Sequence, residues 1–224
     1  MSSSAKQRRP RAMHGNTEVF TLFWDRVAPL YDFFENTFNR AVYDGTGEAV
    51  ARMIRPDDRV LECACGTGAI SVAIAQVCAR LVATDYSEGM LSQARKKLAT
   101  HSNVTVEQAD IMALSYATDS FDVAVAGNVI HLLPDPAQAL RELARVVKPG
   151  GTIIVPTYVS LTDGANNPIP RLLSRLGVRF QEHFTPASYQ AFVEGMGYDE
   201  ARFRLVRGRI PCAIAVFPNR KQEG

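Results

Sequence analysis

The run Glu62-Cys63-Ala64-Cys65-Gly66-Thr67-Gly68 sets an acid directly before a short turn that carries two glycines. Glycines at 66 and 68 let the backbone approach a ligand closely and start a helix with no Cβ in the way. Two more acids, Asp85 and Asp110, each follow a short apolar run further along the chain. As the ends of a second and a third parallel strand, both would stand at the carboxyl edge of an open sheet, where such sheets bind ligands. Asp85 comes 19 residues after Gly66, a placement that lets it accept both hydroxyls of a ribose. Asp110 can reach an adenine amino group. The set describes an adenosine-type ligand lying across the point where the strand order reverses.

The same turn discriminates between ligands. A dinucleotide-binding turn reads GxGxxG, because a pyrophosphate must rest on the helix N-terminus. Here Ser71 stands at the third glycine position. Glu62 opens the loop with a carboxylate, which repels phosphate and suits an ammonium or sulfonium. Local charge therefore favours S-adenosylmethionine over NAD. An NAD-dependent reductase is the enzyme alternative, and a non-catalytic S-adenosylmethionine-binding module is the alternative outside catalysis.

The surrounding pattern supplies the elements that would position these groups. Residues 59–63 read as a buried strand, and Ile70, Val72, Ala73, Ile74 and Val77 as the helix after the turn. Leu81 to Thr84 form a second strand, and Ser87 caps a helix whose apolar face is Met90, Leu91, Ala94 and Leu98. Val104 to Gln108 and Phe121 to Gly127 read as the third and fourth strands. Asp135-Pro136 starts a helix with Leu140, Leu143, Ala144 and Val147 on one face, and Pro149-Gly150-Gly151 stops it before a fifth strand, Thr152 to Pro156. After a helix begun by Thr185-Pro186, the runs Phe203 to Val206 and Ile210 to Val216 lie too close together for a parallel crossover and must form an antiparallel hairpin. Strand–helix alternation with short connections predicts an α/β, Rossmann-like, doubly wound, mostly parallel seven-stranded sheet with that hairpin at its C-terminal end and an N-terminal helical cap.

Composition excludes several classes. The chain has 224 residues and a net charge of +2, of which Lys6, Arg8, Arg9 and Arg11 put +4 into the first 16 residues and leave −2 for the other 208. A near-neutral body argues against a nucleic-acid surface, which needs a basic stripe on the fold. The first 16 residues lack the apolar core of a secretory signal. No stretch of about 18 apolar residues predicts a transmembrane segment. The cysteines, Cys63, Cys65, Cys78 and Cys212, form no CxxC pair and no zinc spacing, and read as reduced, buried thiols of a cytoplasmic protein. The histidines are scattered, so no metal site is expected. The domain reading is a basic tail over 1–16, a helical cap over 17–53, the ligand-binding domain over 54–217 with a lid over 157–184, and a tail over 218–224.

VLECACGTG (60–68), ATDYSEGML (83–91), EQADIMAL (107–114), DSFDVAVAGNVIHLLPDP (119–136) and ELARVVKPGG (142–151) together resemble the class I S-adenosylmethionine-dependent methyltransferases, in the branch holding ubiquinone/menaquinone and other small-molecule or lipid enzymes. The resemblance covers about residues 20–217. It implies methyl transfer from S-adenosylmethionine. Glu62, with the backbone of Ala64 and Gly66, would hold the methionine end, and Gly68 would start the following helix. Asp85 would hold the ribose, with Tyr86 and Met90 beside the adenine and Asp110 and Ile111 bracketing it. Asn128 and Val129 would face the sulfonium, and Tyr31 of VAPLYD (27–32) would close over the cofactor carboxylate. Ala64 departs from the family's first glycine, a change tolerated where φ is negative.

Each assignment has a structural alternative. Glu62 could cap a nearby helix, Asp85 could be the first-turn acid of helix 87–99, and Tyr31 could be core packing. His131, two residues past Val129, is the candidate base, or a bridge between its loop and helix 136–147; His183 reads as solvated or structural. Residues 20–43 hold 8 of the chain's 19 aromatics. These pack on the sheet or form an apolar lid suited to a ring-bearing or lipid-like acceptor. Asn128-Val129-Ile130-His131 replaces the Asn/Asp-Pro-Pro-Tyr run of amino-methylating nucleic-acid enzymes. The expected partner is a small-molecule or lipid-like substrate, with no nucleic acid, and the expected state a monomer or weak homodimer.

Overall fold

Val60, Leu61 and Cys63 are fully buried, as befits a strand covered on both faces. They belong to β1 (Arg59–Cys63), an inner strand of a sheet whose other strands are β2 (Arg80–Asp85), β3 (Val104–Gln108), β4 (Phe121–Ala126), β5 (Val147–Tyr158), β6 (Arg202–Val206) and β7 (Cys212–Pro218). The computed structural model describes residues 24, 25, 28, 39–161 and 184–220. The strand order is β3-β2-β1-β4-β5-β7-β6. Strands β1 to β5 pair in parallel, and β7 runs antiparallel to both β5 and β6. The hairpin is thus the antiparallel one expected, with its reversed strand inside the sheet and β6 at the edge. The order reverses between β1 and β4, and a cleft opens outside the carboxyl ends of these two strands.

Two cores follow from the alternation of side chains along the strands. Leu61, Ala124, Ile153 and Val155 face one core, shared with helices α4 (Pro136–Val146) and α5 (Pro186–Gly195). Val60, Val123, Val125 and Ile154 face the other, under α1 (Arg40–Ala51), α2 (Ala69–Ala75) and α3 (Glu88–Leu98). Glu62, between Leu61 and Cys63, is therefore turned toward the α1–α2 side. The caps are the expected ones: Ser87 accepts from the Met90 N–H, and Asp135 from that of Gln138. Thr185 and Ser188 form a reciprocal capping box on α5.

Helix α4 ends differently from the sequence reading. It stops at Val146, and Val147 already belongs to β5. The Pro149-Gly150-Gly151 run is an irregularity inside the strand, where the register against β4 shifts and Gly150 takes φ +75°. Val147 thus pairs with Phe121 and does not extend the helix face. The buried side-chain amide of Asn219 secures this corner, with Nδ2 donating to the carbonyls of Ala144 at 2.8 Å and Val147 at 2.7 Å. Asn219 and β7, which runs to Pro218, are thus part of the packed domain, and no tail begins at 218. At its other end β5 continues through Thr157 and Tyr158, two residues assigned from sequence to a lid. The rest of that lid, at 162–183, and most of residues 1–38 lie outside the described residues.

Helix α1 is held by contacts remote in sequence. Asn39 donates from Nδ2 to the Ile210 carbonyl at 3.1 Å and accepts from the Ile210 N–H at 3.2 Å. Gly208 lies so near that a Cβ there would come within 2.2 Å of Val42 Cγ2. On its other side α1 meets α2, where a Cβ on Gly47 would stand 3.3 Å from that of Ala73. The helix is thereby wedged between the β6–β7 turn and α2, alongside the end of β1.

Candidate active site

The turn after β1 is built from left-handed residues. Ala64 and Gly66 both take φ +55° and Gly68 takes φ +88°. For Gly66 an added Cβ would meet nothing within 4 Å, so its conformation and the open space above it, rather than crowding, account for the glycine. Ala64 corrects the sequence expectation, since its φ is positive. An L-residue in this region costs about 1–2 kcal/mol. Across the cleft Asn128 is also left-handed, with φ +51°. Its N–H donates to the Pro156 carbonyl at 3.0 Å, and the preceding Gly127 N–H donates to that of Cys63 at 3.0 Å.

Asp85 ties the turn to β2. Its Oδ2 accepts from the Gly66 N–H at 2.9 Å and its Oδ1 from the Ser87 N–H at 2.8 Å. Burial pushes the Asp85 carboxyl above its usual range, against the pull of the two N–H donors. Ser87 Oγ in turn donates to Asp25 Oδ1 at 2.5 Å, and the Gly89 N–H donates to the same oxygen at 2.9 Å. Asp25, a helical residue near the start of the chain, thus docks on the first turn of α3.

Glu62 is 1% exposed. Its Oε2 accepts from Ser71 Oγ at 2.5 Å, while Oε1 is buried with no hydrogen-bond partner. Burial raises its pKa from 4.5 to about 8, partly offset by the Ser71 hydrogen bond and reinforced by the Asp85 charge. A buried acid with an unused oxygen beside an open cleft is a receptor for a cation.

The cleft encloses about 470 Å³, part of it open to solvent, and Glu62, Ala64, Gly66 and Asn128 line it. Those four are sequence-predicted site residues brought together here. Asp85 reaches the same place through Gly66. Gly68 stands behind it as the left-handed N-cap of α2. Asp110 accepts from the Met112 N–H at 2.9 Å, a turn of its own beside β3. Met90, Ile111 and Val129 are buried, whereas Tyr86 is 43% exposed. His131 lies in a one-turn helix (Ile130–Leu132), buried, and does not line the cleft. Tyr31 and His183 lie outside the described residues.

Sequence reasoning missed Thr46 and Tyr158 as lining residues, and counted Tyr43 only among the aromatics. Thr46 had a legible cue: Val42, Thr46, Ala49 and Val50 are the helically spaced, buried face of α1. Tyr158 had none, because its place depends on how far β5 runs. Among the described residues no group of three His, Cys, Asp or Glu is arranged to hold a metal ion, and no helix is long and apolar enough to cross a membrane.

Comparison with known proteins agrees with this geometry. Residues 61–155 match a methyltransferase domain family. Over 140 residues the chain is 39% identical to the demethylmenaquinone methyltransferase of Clavibacter sepedonicus, a match covering 62% of this chain and 57% of that protein. Over 145 residues it is 32% identical to the ubiquinone/menaquinone biosynthesis C-methyltransferase of Bdellovibrio bacteriovorus, covering 62% of each. The match thus spans about three fifths of the length of these curated relatives. A solved S-adenosylmethionine-dependent methyltransferase of Thermotoga maritima superposes with a TM-score of 0.70 at 18% identity, over 89% of this chain and 99% of that one. At that identity the likeness is one of fold. Residues 61–155 thus fall in a methyltransferase domain family, and the fold is shared with the class I S-adenosylmethionine-dependent methyltransferases. The chain's sequence relatives within that class are of the menaquinone type. S-adenosylmethionine is the cofactor of this class, and the site suits it, with a partnerless acid oxygen for its ammonium and open space above Gly66 for its body.

Two predictions arise from this geometry. Replacing Ala64 by glycine relieves the left-handed alanine, less the extra freedom of an unfolded glycine, and should raise stability by about 0.5–1 kcal/mol in urea unfolding; a lowered midpoint would contradict the strain. Burial raises the Glu62 pKa from 4.5 to about 8, above neutral pH, so the ligand-free fold holds this side chain mostly protonated at pH 7. Stability of the ligand-free protein should therefore fall as pH rises between those values, and Glu62→Gln should remove that share of the fall. A cationic ligand should expel the proton. At pH 7 the heat of S-adenosylhomocysteine binding should depend on the ionisation enthalpy of the buffer, and a buffer-independent heat would refute the assignment.

Proposed function

We propose that the chain transfers a methyl group from S-adenosylmethionine to a small, aromatic or lipid-like acceptor of the quinone type. The observation that carries this reading is the buried, partnerless oxygen of Glu62 in a cleft at the reversal point of the sheet. When bound, S-adenosylmethionine supplies a methyl carbon on a positively charged sulfur, which leaves with the bonding electron pair as the acceptor attacks in line. The protein's part is to bind, orient and exclude water. Glu62 accepts from the ammonium, with the Ala64–Gly66 backbone against the methionine end and Gly68 starting α2 behind it. Asp85 keeps lone pairs for the ribose hydroxyls, although its two N–H bonds already fix its direction. Met90, Asp110 and Ile111 form the adenine end, with Tyr86 at the rim. Asn128 and Val129 stand toward the sulfur, and Tyr31 closes over the carboxylate.

Alignment of this kind lowers a barrier by about 7–11 kcal/mol. Where the acceptor must lose a proton, we assign the task to His131, which is buried outside the cleft lining in the ligand-free fold and so requires the acceptor to reach it past the turn after β4. The menaquinone-type relatives and the aromatic run at 20–43 support a ring-bearing acceptor. A small acceptor needs no nucleic-acid surface. The four free, buried cysteines suit the cytoplasm. We further propose that the chain works as a monomer or weak homodimer, with residues 17–53 as its cap and a lid confined to the stretch between β5 and α5.

Calorimetry should show S-adenosylhomocysteine binding, and mass spectrometry should show a gain of one methyl on demethylated naphthoquinols or related phenols. Asp85→Ala should weaken S-adenosylhomocysteine at least about tenfold, since charge-assisted hydrogen bonds contribute about 1.5–3 kcal/mol each. It should also lower stability, because the Gly66 and Ser87 N–H groups lose their acceptor. Unchanged affinity would remove Asp85 from the site. His131→Ala should lower turnover at least about a hundredfold with S-adenosylhomocysteine affinity kept, the effect of losing a general base. Normal turnover would leave His131 a purely structural residue.

A further inference from the structure

Thr46 is 2% exposed, and its hydroxyl has no hydrogen-bond partner. A threonine within a helix ordinarily returns its hydroxyl to a carbonyl one turn back. Thr46, in the middle of α1, does not, and it lines the same cleft as Glu62. Two buried polar groups without partners thus border one space, one from the sheet and one from α1. Keeping such groups unsatisfied lowers stability, which points to a ligand that satisfies both.

Charge tells which part of a ligand each would meet. Glu62 draws a cation. On the α1 side, Lys97 of α3 donates from Nζ to Tyr43 Oη at 3.2 Å and to Thr67 Oγ1 at 3.3 Å, and it lies 5.9 Å from the centre of the Tyr43 ring. Tyr43 and Thr67 both line the cleft. A full positive charge therefore stands behind the wall that holds Tyr43 and Thr46, while an acid stands at the end of β1. A group carrying an ammonium and a carboxylate fits between them. The Asn39 clamp and the Gly208 contact hold α1, and with it Thr46, at a set distance from β1.

We propose that Thr46 is a ligand-reading residue whose hydroxyl donates to the carboxylate of an α-amino-acid group, the ammonium of which lies against Glu62. This rests on the cofactor reading above and extends it to a residue of α1. It makes the cleft selective for the zwitterionic end of the ligand, independently of the adenosine.

The test compares S-adenosylhomocysteine with methylthioadenosine, which keeps the adenosine and sulfur but lacks the amino-acid end. Titration calorimetry on the full chain should show Thr46→Val, which removes only the hydroxyl's chemistry, weakening S-adenosylhomocysteine about tenfold or more while methylthioadenosine binds as before. Thr46→Ser should keep the wild-type affinity for both. The ligand-free Thr46→Val protein should melt no lower than the wild type, since a buried unsatisfied hydroxyl is gone; Thr46→Ala gives the same binding comparison where valine impairs folding. Equal binding of S-adenosylhomocysteine by the wild type and Thr46→Val overturns the proposal, and so does an equal loss for both ligands. If the wild-type chain binds neither ligand, the cofactor reading itself fails, a result distinct from either.

Discussion

The carboxylate of Asp85 accepts two backbone N–H groups, one from the turn after β1 and one from the start of α3. With no side-chain donor involved, this interaction fixes the relative position of two strand ends and the helix after the second. Gly66 can offer its N–H in that direction because it occupies a left-handed conformation that side chains avoid. Ser87 passes the connection on to Asp25, so the N-terminal helical residues rest on the same junction. One buried acid thereby sets the outline of the cleft, and the ligand would complete its remaining valence.

Glu62 plays the opposite part. Asp85 is satisfied by the fold, whereas Glu62 is half satisfied, by Ser71 alone. Ionising it in the ligand-free protein is unfavourable, and the alternation of β1 allows it nowhere else to point. The strand's other side chains fill two cores, and the acid is carried inward with them. Local stability is given up at the β1 position that faces the cleft, a trade expected where a site must recognise charge.

The wall opposite Glu62 belongs to α1, whose placement owes little to its neighbours in sequence. Asn39 holds the backbone of Ile210, 171 positions away. Gly45 and Gly208 then permit close approach: a Cβ on Gly45 would come within 3.0 Å of Val206, and one on Gly208 within 2.2 Å of Val42. The C-terminal hairpin thus completes the sheet and also braces the helix that closes the cleft. Ala64 adds a small strain to the same region, and it persists because the turn is held by hydrogen bonds on both sides.

Much of this was legible beforehand, because much of it is local. Apolar runs bounded by turn residues marked β1 to β4 within a residue or so, Ser87 and Asp135 announced their helices, and the acid–glycine turn with Asp85 and Asp110 pointed to the ligand class. These depend on neighbours a few positions apart. The start of β5 was misread, since Pro149-Gly150-Gly151 looks like a stop and only the pairing with β4 absorbs it as an irregularity. The sign of φ at Ala64 could not be read either, being imposed by hydrogen bonds from the adjoining strands. Thr46, Tyr43 and Tyr158 came to the cleft through α1 docking on a distant turn and β5 outrunning its expected end. By itself the sequence determined the periodicities, the caps and the acids that we assign to a cationic adenosine ligand. Which other side chains share that cleft was decided only by tertiary structure, because the contacts that set α1 and β5 join segments far apart in the chain and leave no periodic trace within either one.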